Sequence, residues 1–274
     1  MKNKKNKAVP ETGSADKSPQ QESSLKKNFW KISKTAGIVL AIVIFGFVAL
    51  VTSIIVMVHT SNLRASRAEY DLLREIAGEV EAGAAEAGTL HLSALDREML
   101  DINPDYVAWL KIDGTGIDYP VVRGSDNEKY LNISFSGEEN IAGALFMDYR
   151  ITGDLLADRA GERIPHIIIY GHNLQQGGMF TGLRSFLSER FLEENNIITL
   201  IVNDQIIEYE IFSARVSSIE DYAYFLNFDE SHQFPRFANR IDAPLAATQI
   251  ITLSTCTRGG SDDARIIIQG YRLG

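Results

Sequence analysis

Between Thr35 and Val58 the chain reads TAGIVLAIVIFGFVALVTSIIVMV, about 24 residues without a single charged side chain. Such a run leaves few structural choices. At 1.5 Å per residue, a helix of this length measures about 36 Å, more than the ~30 Å hydrocarbon core of a bilayer. A cleaved secretory signal is the competing reading. Signal cores, however, are about 7–15 residues long and end in a small-residue cleavage site. This run is longer and has no A-x-A exit, so an uncleaved transmembrane helix is expected over 35–58. Phe29 and Trp30 suit its interfacial edge.

Charge sets the expected orientation. Before the span, nine lysines (Lys2, Lys4, Lys5, Lys7, Lys17, Lys26, Lys27, Lys31, Lys34) face three acids (Glu11, Asp16, Glu22). After it, Arg64, Arg67 and Arg74 are outnumbered by Glu69, Asp71, Glu75 and Glu79. The positive-inside rule then places the N-terminus in the cytoplasm and the remainder outside. Residues 1–34 are too polar to bury a core and are expected to form a disordered cytoplasmic tail. The whole chain carries a formal net charge of −9, which argues against a nucleic-acid partner.

Beyond the span, Ser61 to Ala87 is rich in alanine and glutamate. Leu63, Tyr70, Leu73, Ile76 and Val80 recur at roughly helical spacing. A stalk or packing helix is expected there, its end weakened by Gly83 and Gly88. A second short helix is expected over Ser93–Asp101, making 59–102 a helical segment between membrane and main domain. From Asn103 the pattern changes to short apolar runs separated by turn residues. Val107–Ile112 and Ile117–Val122 flank Asp113-Gly114-Thr115-Gly116 as a hairpin, and Ala144–Met147 and Ile164–Tyr170 are further strands. Phe180–Phe191 reads as a helix. Ile197–Val202 and Gln205–Val216 form a second hairpin, and Glu220–Ile241 is an insertion with helical character in its second half. Gln249–Ser254 and Arg265–Arg272 close the chain. The fold class is therefore mainly β, a barrel or sandwich with a few helices.

The one cysteine, Cys256, falls where the β-branched run Ile250-Ile251-Thr252-Leu253 gives way to Thr257-Arg258-Gly259-Gly260. A lone cysteine is either a small buried hydrophobe or a nucleophile presented at a strand end. A nucleophilic thiol needs a base. Among the five histidines, His59 adjoins the span, His91 lies in the helical segment, His232 in the insertion and His166 inside an apolar strand. His172 stands at a strand end in Tyr170-Gly171-His172-Asn173, followed by a glycine-containing loop, and is the best-placed partner. An ordinary loop histidine is the alternative. Stabilising an oxyanion needs a cation or donor pair. Arg265 opens the strand after Cys256 and could fold back beside it, unless it only pairs with Asp262 or Asp263. Arg258, in the glycine-rich loop, reads as a solvated charge.

TLSTC with the downstream arginine of DARIIIQG, the upstream YGHN and an N-terminal anchor together resemble the sortase family of Gram-positive bacteria, membrane-anchored cysteine transpeptidases. NPDYVAWLKIDGTGIDYPVV, DNEKYLN, AGALFMDYR, the YGHN…GGMF loop and the insertion before the cysteine strand resemble class B. The match runs from about Asn103 to the C-terminus. The resemblance implies an eight-stranded β-barrel over 103–274, with N-terminal helices and a groove walled partly by the helix-containing insertion. It implies Cys256 as nucleophile, His172 as general acid/base and Arg265 as the cation that orients substrate and transition state. Ser254 and Thr255 match positions that hold substrate. Tyr170, Asn132, Tyr222 and Tyr224 fall in stretches that resemble groove walls, with core or surface packing as an equal alternative. No cofactor is implied, and the scattered acids lack metal-ligand spacing.

The implied partners are surface proteins or pilins bearing a C-terminal sorting pentapeptide, cleaved after its Thr, and an amine of a peptidoglycan cross-bridge, a lipid-linked precursor or a pilin lysine. Val9-Pro10-Glu11-Thr12-Gly13 resembles such a pentapeptide but lies on the cytoplasmic side, where a chance match is the better reading. Two alternatives stay open: a peptidase that hydrolyses with the same residues, and a non-catalytic extracellular scaffold domain with an inert cysteine.

Overall fold

The computed structural model describes residues 19–86, 93–153, 155–156, 164–203, 205–228 and 232–274. The chain divides into two units, Met1–His59 and Thr60–Gly274. In the first, helix α1 (Pro19–Glu86) exposes every residue from Thr35 to Val58. This helix is long and apolar enough to cross a membrane, with a mean hydropathy of 3.0 over its most apolar window. It takes in residues 19–34, which composition alone assigned to the disordered tail. Once the apolar helix exists, extending it adds a hydrogen bond per residue with no new nucleus, and Pro19 is tolerated at its first position. The Val9–Gly13 motif lies outside the described residues.

The C-terminal part of α1 belongs to the second unit. Leu63, Ser66, Tyr70, Leu73 and Ala77 are buried along one face at the 3–4 residue spacing of an amphipathic helix. It is thus a packing helix. The Tyr70 hydroxyl donates to the Gly143 carbonyl (2.8 Å) and accepts from the Phe135 N–H (3.2 Å), and its ring stands edge-on to Tyr119. Burial, then the Glu69 charge, push the Tyr70 phenol pKa far up, so it stays a neutral donor. Helix α2 (Ser93–Ile102) follows and buries Leu95 and Met99.

Eight strands then close a barrel. They are β1 (Tyr106–Ile112), β2 (Ile117–Val122), β3 (Leu145–Met147), β4 (His166–Tyr170), β5 (Ile197–Val202), β6 (Gln205–Ser218), β7 (Ile250–Cys256) and β8 (Ala264–Arg272). Around the barrel the order is β1-β2-β3-β4-β7-β8-β6-β5. Strands β2–β3 and β4–β7 pair in parallel and the other neighbours antiparallel. The eight-stranded barrel implied by the resemblance is the observed fold.

The expected helix over Phe180–Phe191 is instead a 3-10 stretch, Phe180–Leu187, then α3 (Glu189–Glu194), with extended Ser188 between them. Its buried residues Phe180, Leu183 and Phe186 recur every third position, the period of a 3-10 helix. The insertion carries a 3-10 turn, Tyr222–Tyr224, and helix α4 (Gln233–Arg240). Its aromatic residues Phe225, Phe228, Phe234 and Phe237 form a satellite core over Ile250, on the outer face of β7.

A buried histidine fastens this insertion. His166 Nδ1 lies 2.9 Å from the Phe225 carbonyl, which can only accept, so Nδ1 carries the proton. Nε2 then accepts from the Thr252 hydroxyl at 2.8 Å. Thr252 Oγ1 also accepts from Gln269, whose Oε1 accepts from Arg215, which is paired with Asp221. Burial lowers the His166 pKa to about 4. Stability linked to this group is complete above the unfolded-state value of about 6.5 and is lost as pH falls toward 4.

Two outcomes are expected. In denaturant titrations, His166 should account for about 2 kcal/mol of stability lost between pH 7.5 and pH 5. His166→Gln should show a correspondingly flatter pH dependence, and an unchanged slope would contradict the linkage. Tyr70→Phe leaves the buried Phe135 N–H without its acceptor and should cost about 1–3 kcal/mol. A loss below the error of the titration would show that α1 is not anchored there.

Candidate active site

The site is built where β4 and β7 end side by side. Their parallel register pairs Ile168 with Thr252, Ile169 with Leu253 and Tyr170 with Ser254. Both are continuous, β-branched, buried runs, the pattern of strands covered on both faces. Past the last pair the two chains remain tied. The Gly171 N–H donates to the Ser254 carbonyl (3.3 Å) and Thr255 Oγ1 donates to the Gly171 carbonyl (2.7 Å). Asn173 Nδ2 donates to the Cys256 carbonyl (2.9 Å). Glycine is required at 171, because a Cβ would come within 2.4 Å of Leu145 and 2.9 Å of Phe180.

Cys256 is the last residue of β7, and its thiol is free and exposed. Strand β8 runs antiparallel to β7 with Arg265 directly opposite Cys256, so both side chains point to the same face. Arg265 is half-buried, and its Nη1 donates to the backbone carbonyls of Asp262 (2.6 Å) and Ala264 (3.0 Å), not to the carboxylate of Asp262 or Asp263. His172 is half-buried. Its Nε2 lies 2.7 Å from the Leu131 carbonyl, so Nε2 carries the proton and in the neutral ring Nδ1 is the accepting nitrogen.

These three side chains share a cleft of about 390 Å3. Leu131, Phe146 and Tyr170 line it on the β3–β4 side, Ser254 and Thr255 form its floor, and Ile219 and Tyr224 come from the insertion side. Tyr224 shares a hydrogen bond with Ser254 Oγ (2.7 Å), and its ring is stacked on Tyr170 at 6.4 Å. Burial raises the Tyr224 phenol pKa, against the pull of the Ser254 hydrogen bond and the nearby Arg265 charge. The Tyr170 hydroxyl donates to Asp148 Oδ2 (3.0 Å). Asp148 is fully buried. Burial pushes its pKa up, but hydrogen bonds and charge from Arg150 outweigh that and hold it below the usual carboxylate value.

Two residues expected along the groove lie elsewhere. Asn132 is exposed and does not line the cleft; its neighbour Leu131 does, and the Asn132 carbonyl is taken by the Asn140 N–H. Tyr222 stacks on Phe225 (5.0 Å) beneath the Arg240 guanidinium and lines a separate cavity. With three residues per 3-10 turn, residues two apart face different ways, so Tyr224 reaches the cleft and Tyr222 does not. Arg258 is exposed, as its loop suggested, and in addition its Nη2 donates to the Leu174 carbonyl and lies 3.4 Å from Thr181 Oγ1. The Leu131 carbonyl, Asn127, Phe146, Ile219 and Asp148 were not picked out from sequence. Phe146 and Asp148 lie in AGALFMDYR, where no spacing marked them. Among the described residues no group of three or more His, Cys, Asp or Glu side chains could hold a metal ion.

A thiol, an imidazole and a guanidinium at one end of an open cleft are the groups that acyl transfer through a thioester requires. Similarity to known proteins points the same way. A sequence profile described as Sortase domain matches residues 110–273. The chain is 33% identical to Sortase B of Listeria monocytogenes over 184 residues, covering 64% of this chain and 72% of that protein. It is 27% identical to Sortase B of Staphylococcus aureus over 240 residues, 84% of this chain and 91% of that one. Among solved structures, a Staphylococcus aureus sortase B–substrate complex superposes with a TM-score of 0.66 at 26% identity, covering 77% of this chain and 97% of the other. Clostridium perfringens sortase B does so with a TM-score of 0.58 at 28% identity, covering 65% of this chain and all of the other. With the profile spanning more than half of its length, the chain belongs to the sortase family of cysteine transpeptidases.

Proposed function

We propose that the chain is a membrane-anchored transpeptidase that cuts a C-terminal sorting pentapeptide after Thr and transfers the acyl group to an amine of peptidoglycan or a pilin. The observation that carries this reading is the presence of Cys256, His172 and Arg265 in one open cleft at the ends of β4, β7 and β8. Cys256 Sγ bonds to the Thr carbonyl carbon. The C–N bond breaks, and the thiol proton passes through His172 to the departing amine. The incoming amine then attacks the thioester. The C–S bond breaks as the new amide forms, and the proton of the amine returns through His172 to Sγ. Arg265 faces the developing oxyanion with a planar donor pair. Tyr224 and Ser254 present hydroxyls to the cleft in which an extended peptide would lie, while Thr255 lines it with its own hydroxyl bound to the Gly171 carbonyl. The lysine-rich N-terminal segment remains cytoplasmic and the barrel faces outward.

Turnover of a panel of fluorogenic pentapeptides, with and without an added amine, tests this reading. Cys256→Ala should abolish the covalent intermediate seen by mass spectrometry. His172→Ala should lose about 10²–10⁴-fold in rate. Arg265→Lys, which keeps the charge and loses the fork, should lose about 10²–10³-fold with little change in melting temperature. Near-normal turnover by Arg265→Lys would remove Arg265 from this role. Release of hydrolysed product alone, whatever amine is supplied, would convert the reading to a peptidase. Orientation has its own test: protease added to wall-stripped cells should digest the barrel and spare the N-terminal segment.

A further inference from the structure

The ladder between β4 and β7 does not stop where the sheet does. Beyond Tyr170↔Ser254 the chains stay joined step by step: Thr255 to the Gly171 carbonyl, Asn173 to the Cys256 carbonyl, and Arg258 to the Leu174 carbonyl. The last step is the most distant from the sheet and rests on a guanidinium alone. Its Nη2 meets Leu174 and Thr181, the two ends of the loop that follows His172. Within that loop the Leu174 carbonyl also accepts from the Gly177 N–H (3.2 Å) and the Thr181 hydroxyl (3.0 Å). The Phe180 N–H closes back on the His172 carbonyl (2.9 Å). On the far side, Arg67 of α1 donates to the Gln176 carbonyl.

The loop needs such ties. Gly177, Gly178 and Met179 all have positive φ (88°, 95° and 48°), and Gln175, Gln176 and Gly178 are exposed. Apolar packing holds the loop at Leu174, Met179 and Phe180 and leaves the stretch between them to polar ties. Asp262 and Asp263 follow Arg258 in the same turn-rich segment, yet its contacts are with the histidine loop. An exposed arginine that only improved solubility would have no reason to reach both a backbone carbonyl and a threonine hydroxyl of that loop. We infer that Arg258 is a positioning residue: by clamping Leu174 and Thr181 it holds the loop so that His172 keeps its place relative to Cys256. It touches neither the peptide nor the reacting atoms. This rests on the pairing of Cys256 with His172 proposed above.

The test uses the full-length chain in detergent. Arg258→Ala should lower kcat for the pentapeptide about 10- to 100-fold, the scale of a small misplacement of a catalytic group, with KM within about twofold. Arg258→Lys should restore part of the loss, since an ammonium can still reach the Leu174 carbonyl. Thr181→Val should lose less. Combined with Arg258→Ala it should add less than its separate effect, because the two act on one contact. The decisive readout needs no peptide turnover. The pH dependence of Cys256 alkylation by iodoacetamide should shift in Arg258→Ala toward that of His172→Ala, at unchanged melting temperature. Wild-type kcat with a wild-type alkylation profile in Arg258→Ala would overturn the inference, as would a loss confined to KM, which would place Arg258 against the peptide. Failure of the unsubstituted chain to process any peptide would instead count against the transpeptidase reading, and the alkylation profiles would still decide the role of Arg258.

Discussion

Parallel pairing of β4 with β7 is the constraint from which the site follows. Two parallel strands cannot be joined by a hairpin, so residues far apart in sequence arrive at one edge of the barrel travelling in the same direction. His172 and Cys256 come together because each lies two residues past the Tyr170↔Ser254 pair. The register is held chiefly by hydrocarbon. Ile167 and Ile169 on β4, and Ile251 and Leu253 on β7, are fully buried in the main core. A slip of one residue would turn Leu253 outward and drive Ser254 and Cys256 toward the barrel interior. The dispersion and burial energy of the core thus position the polar groups that line the cleft.

The outer face of the same strands is covered by polar and aromatic contacts. His166, Thr252, Gln269, Arg215 and Asp221 form a chain of hydrogen bonds running from β4 across β7 and β8 to β6 and the start of the insertion. Each buried member has a partner, which lets such a network add rigidity instead of an unpaid desolvation penalty. Because His166 also holds the Phe225 carbonyl, the 3-10 turn that ends beside it is fixed, and with it the hydroxyl of Tyr224 against Ser254. The insertion therefore serves as a wall of the cleft through contacts made well away from it.

Much of this was legible in the residues. Alternating and continuous apolar runs gave every strand to within a few positions, since burial on one or both faces leaves a direct mark on composition. Cys256 at the end of β7 and Arg265 at the start of β8 were readable because strand ends and turn residues are local signals. What stayed hidden depended on direction in space. Nothing in YAY distinguishes the tyrosine that faces the cleft from the one that stacks under Arg240; that depends on the rotation of a 3-10 turn. The contribution of Leu131 comes from a backbone carbonyl, which every residue possesses. The bonds of Arg258 depend on where a loop 77 to 84 positions earlier comes to rest.

Strand β7 carries two messages on alternate residues. Ile251 and Leu253 face the interior, while Ile250, Thr252, Ser254 and Cys256 face the insertion and the cleft. Filling of the barrel and lining of the cleft thus fall on different letters of one short word. A change at Ser254 alters the hydroxyl that Tyr224 meets in the cleft and leaves the interior contacts of Ile251 and Leu253 in place. Substitutions on the cleft-facing letters therefore reshape the cleft without emptying the core of the barrel.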